Sequence, residues 1–328
     1  MKHYYRPLLL PGTPPNGAQC LAGGWLWFLH VEERTRETRR VIPWKALPSA
    51  ALDALTRPRA PVAGVRMDVP RLMGIVNTTP DSFSDGGRFN SAESAAAHGR
   101  RLVSDGADIL DIGGESTRPG ADYVAVEEEI ARTRPAVDAL RDVAPVSIDT
   151  RKAAVGDAAL KAGAQLLNDV SGLTHDDSMA SLAARADVPI CIMHSRGDPK
   201  TMQNEPHYDD VVLDVYDVLE AQRNKALAAG INPENIILDP GIGFGKTLEH
   251  NLALLRELAV LHSLGCPILL GASRKRFIGT LSGVDEADKR MPGSVAVALA
   301  GVAQGAQILR VHDVAETRQA LSLWQAST

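Results

Sequence analysis

The sequence predicts an α/β protein, a (β/α)8 TIM barrel with a small appended N-terminal subdomain. Three observations lead there. Eight short apolar runs alternate with eight helix-period segments between residues 71 and 328, close to the length of about 250 residues that such a barrel takes. The runs are nearly continuous in their apolar character, as in parallel strands covered on both faces. A doubly wound open sheet would place a Gly-x-Gly-x-x-Gly turn after an early strand, and the chain has none there.

The expected division is an N-terminal extension or subdomain over residues 1–70 and a catalytic barrel over residues 71–328. The extension holds Trp25, Trp27 and Trp44, three of the chain's 4 tryptophans, and a charged run from Glu32 to Arg40. A strand is expected over 25–31 after the Gly23-Gly24 turn, and a short helix over 44–55 before Arg57-Pro58. No chemistry is legible in this segment.

From Arg71 the strand-like runs end in turn at Asn77, Gly113, Asp149, Asn168, His194, Asp239, Gly271-Ala272 and His312. Between and after them, 3.6-residue periodicity predicts helices over 92–104, 125–140, 153–161, 179–186, 211–228, 248–264, 293–304 and 315–323. Gly106-Ala107, Gly163-Ala164 and Gly305-Ala306 read as helix ends that feed the next strand.

Composition narrows the function. The chain has 328 residues, of which 45% are hydrophobic and 23% charged, with a formal net charge of -5, so a broad nucleic-acid-binding face is not expected. Its 3 cysteines (Cys20, Cys191, Cys266) form no Cys-x-x-Cys pair and point to a reduced, cytoplasmic setting. The apolar stretches near the N-terminus are too short to span a bilayer, and no secretion signal is read.

In a barrel the chemistry gathers at the C-terminal ends of the strands. Those ends supply Asn77, Glu115 to Arg118, Asp149, Asn168-Asp169, Met193-His194, Asp239, Ser273 to Arg276 and Arg310 to His312. Asp149, Asn168 and Asp239 offer acceptors and donors to a polar heterocycle, while Met193 and Phe244 offer apolar faces. Arg118, Lys275, Arg310 and His312 place positive charge at the rim of a negatively charged protein, which points to an anionic, phosphate-bearing ligand. Only His194 and His312 of 9 histidines fall at strand ends, so a histidine metal cage is disfavoured. A Mg²⁺ ion brought in by a diphosphate needs only one or two protein oxygens, and Asn77 can give one.

The residues then resemble a known family. Gly74 to Gly87 (Gly-Ile-Val-Asn-Thr-Thr-Pro-Asp-Ser-Phe-Ser-Asp-Gly-Gly) is similar to the first signature of dihydropteroate synthases, and Asp111 to Gly120 (Asp-Ile-Gly-Gly-Glu-Ser-Thr-Arg-Pro-Gly) to the second. The resemblance continues through Ser147-Ile148-Asp149-Thr150, Asn168-Asp169, Asp239 to Lys246, Ser273-Arg274-Lys275 and Arg310 to Asp313. It implies joining 4-aminobenzoate to 6-hydroxymethyl-7,8-dihydropterin diphosphate, with release of diphosphate and 7,8-dihydropteroate, a step of folate synthesis. By resemblance the pterin lies on Asp149, Asn168, Asp239 and Lys275, lined by Met193, Phe244 and Gly271. The diphosphate and Mg²⁺ meet Asn77, Arg118, Arg310 and His312. The aminobenzoate lies beside Phe83, Thr117, Pro119 and Lys275. From its place after Lys275, where the seventh strand turns toward its helix, Arg276 is expected either to reach the aminobenzoate carboxylate or to point into solvent. Asp149, Lys275, Arg118 and Asn77 are the expected catalytic set, and a homodimer is implied. Two alternatives are weighed against this. A pterin-dependent methyltransferase of the same barrel family should lack the loop at 78–83 and the Ser273-Arg274-Lys275 cation. A non-catalytic pterin-binding module should lack the diphosphate cluster.

Overall fold

Eight parallel strands pair in chain order around a barrel. The computed structural model describes residues 1–79, 88–116, 123–196 and 206–328, the side chains of 88–91 excepted. Before the barrel come β1 (Tyr4–Pro7), β2 (Gln19–Cys20), β3 (Trp27–Phe28), β4 (His30–Arg34), β5 (Arg39–Pro43) and helix α1 (Ser49–Thr56). The barrel strands are β6 (Arg71–Asn77), β7 (Ile109–Gly113), β8 (Val146–Asp149), β9 (Leu166–Asp169), β10 (Ile190–Met193), β11 (Ile236–Asp239), β12 (Leu269–Leu270) and β13 (Ile308–Val311). Their order in the sheet is β11-β10-β9-β8-β7-β6-β13-β12. A bridge between Leu238 and Ile268 closes the circle, with the Leu238 N–H donating to Pro267 O at 3.0 Å. All eight expected strands are present.

The helices are α2 (Arg88–Ser104), α3 (Val126–Leu140), α4 (Ala153–Ala162), α5 (Ser178–Ala186), α6 (Val211–Ala228), α7 (Leu248–Arg256), α8 (Arg276–Ser282), α9 (Met291–Ala303) and α10 (Val314–Ser327). Four points differ from expectation. The helix expected over 248–264 stops at Arg256 and continues as a 3-10 turn over Leu258–Leu264, because that apolar run is buried almost all round and has no solvent face to keep α-periodic. The seven-residue α8 was not foreseen, being too short to carry a periodic signal. The helix expected over 44–55 is two pieces: Leu47 is forced extended (ψ 145) by Pro48, which separates a 3-10 turn at Trp44–Ala46 from α1. The strand expected over 25–31 is likewise split at Leu29 into β3 and β4.

The two-residue period of the strands sorts the core. Leu72, Leu110, Ile112, Ile148, Leu167, Ile192 and Leu238 face the helices in one large cluster. Met73, Ile109, Leu166, Cys191, Ile237, Leu269 and Ile308 point inward at the N-terminal end and make a separate apolar layer. That layer is completed from outside the barrel strands by Val62 and Met67, which are 0% and 1% exposed. Val62 and Val65 exchange both backbone hydrogen bonds (2.9 and 2.8 Å) across Ala63 and Gly64. Both turn residues have positive φ (47° and 80°), the twist a two-residue hairpin demands. This small hairpin floors the barrel. Upstream, β1, β4 and β5 form an antiparallel sheet tied to the barrel's flank by the buried Arg34, which pairs with Asp210 and with Glu257. No helix among the described residues is long and apolar enough to cross a membrane.

Candidate active site

One layer above the apolar floor, the inward positions turn polar. Asp111 on β7 and Asp149 at the end of β8 grip one guanidinium: Arg310 Nε lies 2.5 Å from Asp111 Oδ2 and Arg310 Nη2 lies 2.6 Å from Asp149 Oδ2. Asn168 Nδ2 donates to the same Asp111 oxygen at 3.1 Å. Burial pushes the Asp149 carboxyl up, to about 7; Arg310 works against that shift, and the carboxylates of Asp111, Glu129 and Asp169 reinforce it. Burial opposes the Arg310 charge, yet Asp111 and Asp149 hold it above the ordinary arginine value. Arg310, expected at the rim, therefore turns inward, where two buried acceptors satisfy it.

Three polar atoms on this wall, Asp111 Oδ1, Ser147 Oγ and Asp149 Oδ1, are buried without a hydrogen-bond partner among the described residues. Asp111 pairs with Ser147 across the β7–β8 ladder, and Gly113 with Asp149, so the three are neighbours. A buried acceptor left unmade costs about 1–3 kcal/mol. A ligand bearing N–H groups would recover that energy.

The opposite wall is Asp239, Lys275 and the glycine turn after β11. Asp239 accepts from Gly241 N–H at 2.7 Å; its carboxyl is raised by burial, with Lys275 opposing. Lys275, the residue preceding α8, donates to Ile242 O and holds its ammonium 4.3 Å over the Phe244 ring. Burial pulls its pKa down to about 8, against the attraction of Asp239. Gly271 has no side chain to fill the space between walls: a Cβ there would meet Asp239 Oδ2 at 3.6 Å and Arg310 Cβ at 3.9 Å. Met193 pairs with Asp239 across the ladder and is buried beside it.

At the rim, Asn77 ends β6 and is half-buried, and His312 Nδ1 lies 3.0 Å from Ser273 Oγ. Arg276 is exposed at the first position of α8, one residue beyond Lys275. Phe83, Thr117, Arg118 and Pro119 lie outside the described residues. The two ends of the segment containing the last three are held by a buried ion cluster: Glu115 accepts from Arg151 Nε (3.0 Å), Lys152 Nζ (3.0 Å) and Val124 N–H (3.0 Å). Lys152 also reaches Glu129 at 2.6 Å and Val124 O at 2.7 Å.

Comparison with known proteins agrees with this geometry. Residues 73–312 match the family described as pterin binding enzyme. A protein of Neisseria meningitidis serogroup B named dihydropteroate synthase is 52% identical over 271 residues, covering 80% of this chain and 94% of that one. The chain belongs to the dihydropteroate synthase family. A dihydropteroate synthase of Xanthomonas albilineans, solved with 4-aminobenzoic acid, superposes with a TM-score of 0.77 at 48% identity over 81% of this chain and 96% of that one. The same organism's enzyme solved in complex with 7,8-dihydropteroate gives a TM-score of 0.74 at 45% identity, over 81% and 95% of the two chains.

The residues expected around a pterin lie in contact with one another: Asn168 and Asp149 meet through Asp111 and Arg310, Gly271 lies beside Asp239 and Arg310, Met193 pairs with Asp239, and Lys275 sits over Phe244. Strand-end reasoning missed Asp111, Ser147 and Lys246, because it looks at the last residue of each strand. A usable signal was there for Asp111: an acid in the middle of a buried strand, Ile109-Leu110-Asp111-Ile112, on the same face as Gly113.

Proposed function

We propose that the chain, a transferase of folate biosynthesis, condenses 6-hydroxymethyl-7,8-dihydropterin diphosphate with 4-aminobenzoate to give 7,8-dihydropteroate and diphosphate. The observation that carries this reading is the pair of facing walls: partnerless buried acceptors on Asp149 and Asp111, and Asp239 with a Lys275 donor opposite. A pterin edge alternates N–H donors with a carbonyl acceptor and matches that arrangement. Asp149, Asn168 and Asp239 take the N–H groups, Lys275 the acceptor, and Met193, Phe244 and Gly271 line the faces.

In the reaction the methylene C–O bond breaks, its electron pair leaving with diphosphate, and the arylamine lone pair forms the C–N bond before the nitrogen loses a proton. A neutral arylamine needs no strong base. The demanding event is the loss of diphosphate, which leaves positive charge spreading into the pterin ring. Asp149 stabilises that charge, and Arg310, Arg118 and His312 receive the departing anion. Arg310 then exchanges a carboxylate partner for a phosphate. The aminobenzoate lies beside Phe83, Thr117, Pro119 and Lys275, with Arg276 near its carboxylate.

The donor set at the end of β6 fits Mg²⁺ better than a softer metal, since Asn77 gives a neutral amide oxygen and among the described residues no three His, Cys, Asp or Glu side chains gather to cage an ion. When bound, Mg²⁺ neutralises charge on the leaving diphosphate. Residues 1–70 serve as an appendage whose last part, through Val62 and Met67, floors the barrel, and 71–328 as the catalytic barrel of a cytoplasmic homodimer. The outward face of α9 supports the dimer: it has no charged residue, and Pro292, Ala296, Ala300 and Ala303 lie exposed beside half-buried Val295 and Leu299.

The deciding assay is dihydropteroate formation from the two substrates with Mg²⁺. No product from folded protein would defeat the reading. Sedimentation of wild type and Ala300→Glu tests the dimer, which the charged variant should dissociate.

A further inference from the structure

Lys246 ends the glycine turn after β11, and its side chain runs back beneath that turn. It is 4% exposed. Its Nζ lies 2.9 Å from each of Gly241 O, Phe244 O and His194 Nδ1, one acceptor for each ammonium hydrogen. None of them is a carboxylate. Burial lowers its pKa well below the usual lysine value, with the Asp239 carboxylate opposing the shift, so a buried amine spent on two backbone carbonyls calls for a reason. His194, whose backbone N–H donates to Asp239 O at 2.8 Å, links the cluster to the β10–β11 ladder.

The turn itself leaves no slack. Gly241 has φ 66°, and a Cβ there would meet His194 O at 1.9 Å, so the backbone presses on the end of β10. Lys275 holds Ile242 O, Tyr208 Oη donates to Gly245 O at 2.9 Å, and Gly243 N–H donates to Asn251 Oδ1 at 2.7 Å. Lys246 fastens the two carbonyls on either side of the one held by Lys275. The ring of Phe244 and the ammonium over it are thereby set as a unit.

We infer that Lys246 is a positioning residue for the pterin half of the reaction: it fixes the arch at 241–245 so that Phe244 and Lys275 face the pocket together. The inference rests on the pterin reading given above. It separates from a purely structural role because it predicts a larger effect on the pterin, which meets both Phe244 and Lys275, than on aminobenzoate, which meets the arch through Lys275 alone.

The test compares Lys246→Met, which keeps length and removes the donors, with Lys246→Gln, which returns two hydrogens. Thermal melting establishes folding, steady-state kinetics give both KM values, and calorimetry with 6-hydroxymethylpterin reads binding without turnover. Losing this set of hydrogen bonds should weaken pterin binding about tenfold in the Met variant. KM for the pterin diphosphate should rise in step, with a clearly smaller rise in KM for aminobenzoate. The Gln variant should show a smaller effect with the same selectivity, and it decides the matter if the Met variant does not fold. Unchanged pterin affinity in a folded variant, or equal rises in both KM values, would overturn the proposal. If wild type binds pterin but forms no dihydropteroate, the reaction proposed above fails while the calorimetric comparison still decides this one.

Discussion

Arg310 Nη2 stands 2.6 Å from Asp149 Oδ2 while Asp149 Oδ1 has no partner among the described residues. One carboxylate therefore faces two ways, its first oxygen neutralising a cation and its second held ready for an N–H donor. Replacing it as Asp149→Asn keeps the shape but removes the charge that offsets a pterin cation. Turnover should fall on the order of 10²-fold, with the far-UV spectrum unchanged. Near-normal kcat would show that the charge is dispensable.

The same carboxyl makes pterin binding depend on pH. Its value is raised to about 7, so below that pH the folded protein must give up a proton before Asp149 accepts a ligand N–H. Calorimetry should show pterin affinity falling by up to about tenfold per unit below about pH 7, with proton release that Asp149→Asn abolishes. Stability runs the other way. A carboxyl raised on folding contributes stability below its unfolded value, and the contribution is lost as pH rises through about 7. A flat affinity profile would refute the assignment.

Lys152 sits in the Glu115–Glu129 cluster with its side chain 4% exposed and that of Glu129 0%. Lys152→Met would strand a buried carboxylate and should cost about 3–5 kcal/mol in urea unfolding. Exposed pairs such as Lys161–Asp157 should give under about 1 kcal/mol when broken.

A chain beginning at Pro61 keeps the hairpin under the barrel and should retain activity if it stays in solution. Removal through Pro70 also strips Val62 and Met67, with an expected loss of about 3–6 kcal/mol from the two side chains. Comparing the two truncations by thermal melting separates the appendage from the floor, and equal melting temperatures would refute that distinction.

Arg276→Ala should raise KM for aminobenzoate several-fold, about 1 kcal/mol for an exposed charge contact, and leave KM for the pterin diphosphate alone. Unchanged kinetics would leave Arg276 as a solvated surface charge.

Much of this was legible beforehand because a barrel repeats one rule eight times. The strand ends could be read from apolar runs, and Asp149, Asn168, Asp239 and Arg310 among them meet in the fold. What escaped depends on contacts between residues far apart in sequence. Nothing near Arg310 says that Asp111 and Asp149 will turn it inward, since the three meet only across the barrel. Lys246 is visible in the glycine turn, but its three acceptors are set by backbone angles that single residues do not announce. The N-terminal segment was opaque for another reason: its five short strands come almost consecutively, with no helix between them to make a repeating strand-helix unit.

The hairpin at Val62–Val65 closes the barrel's lower end with side chains that exclude solvent. Among the described residues, a molecule seated between Asp149 and Asp239 is therefore shut off from solvent on that side. In the proposed reaction the heterocycle would then have to enter ahead of its reaction partner, and dihydropteroate would leave on the side by which both came.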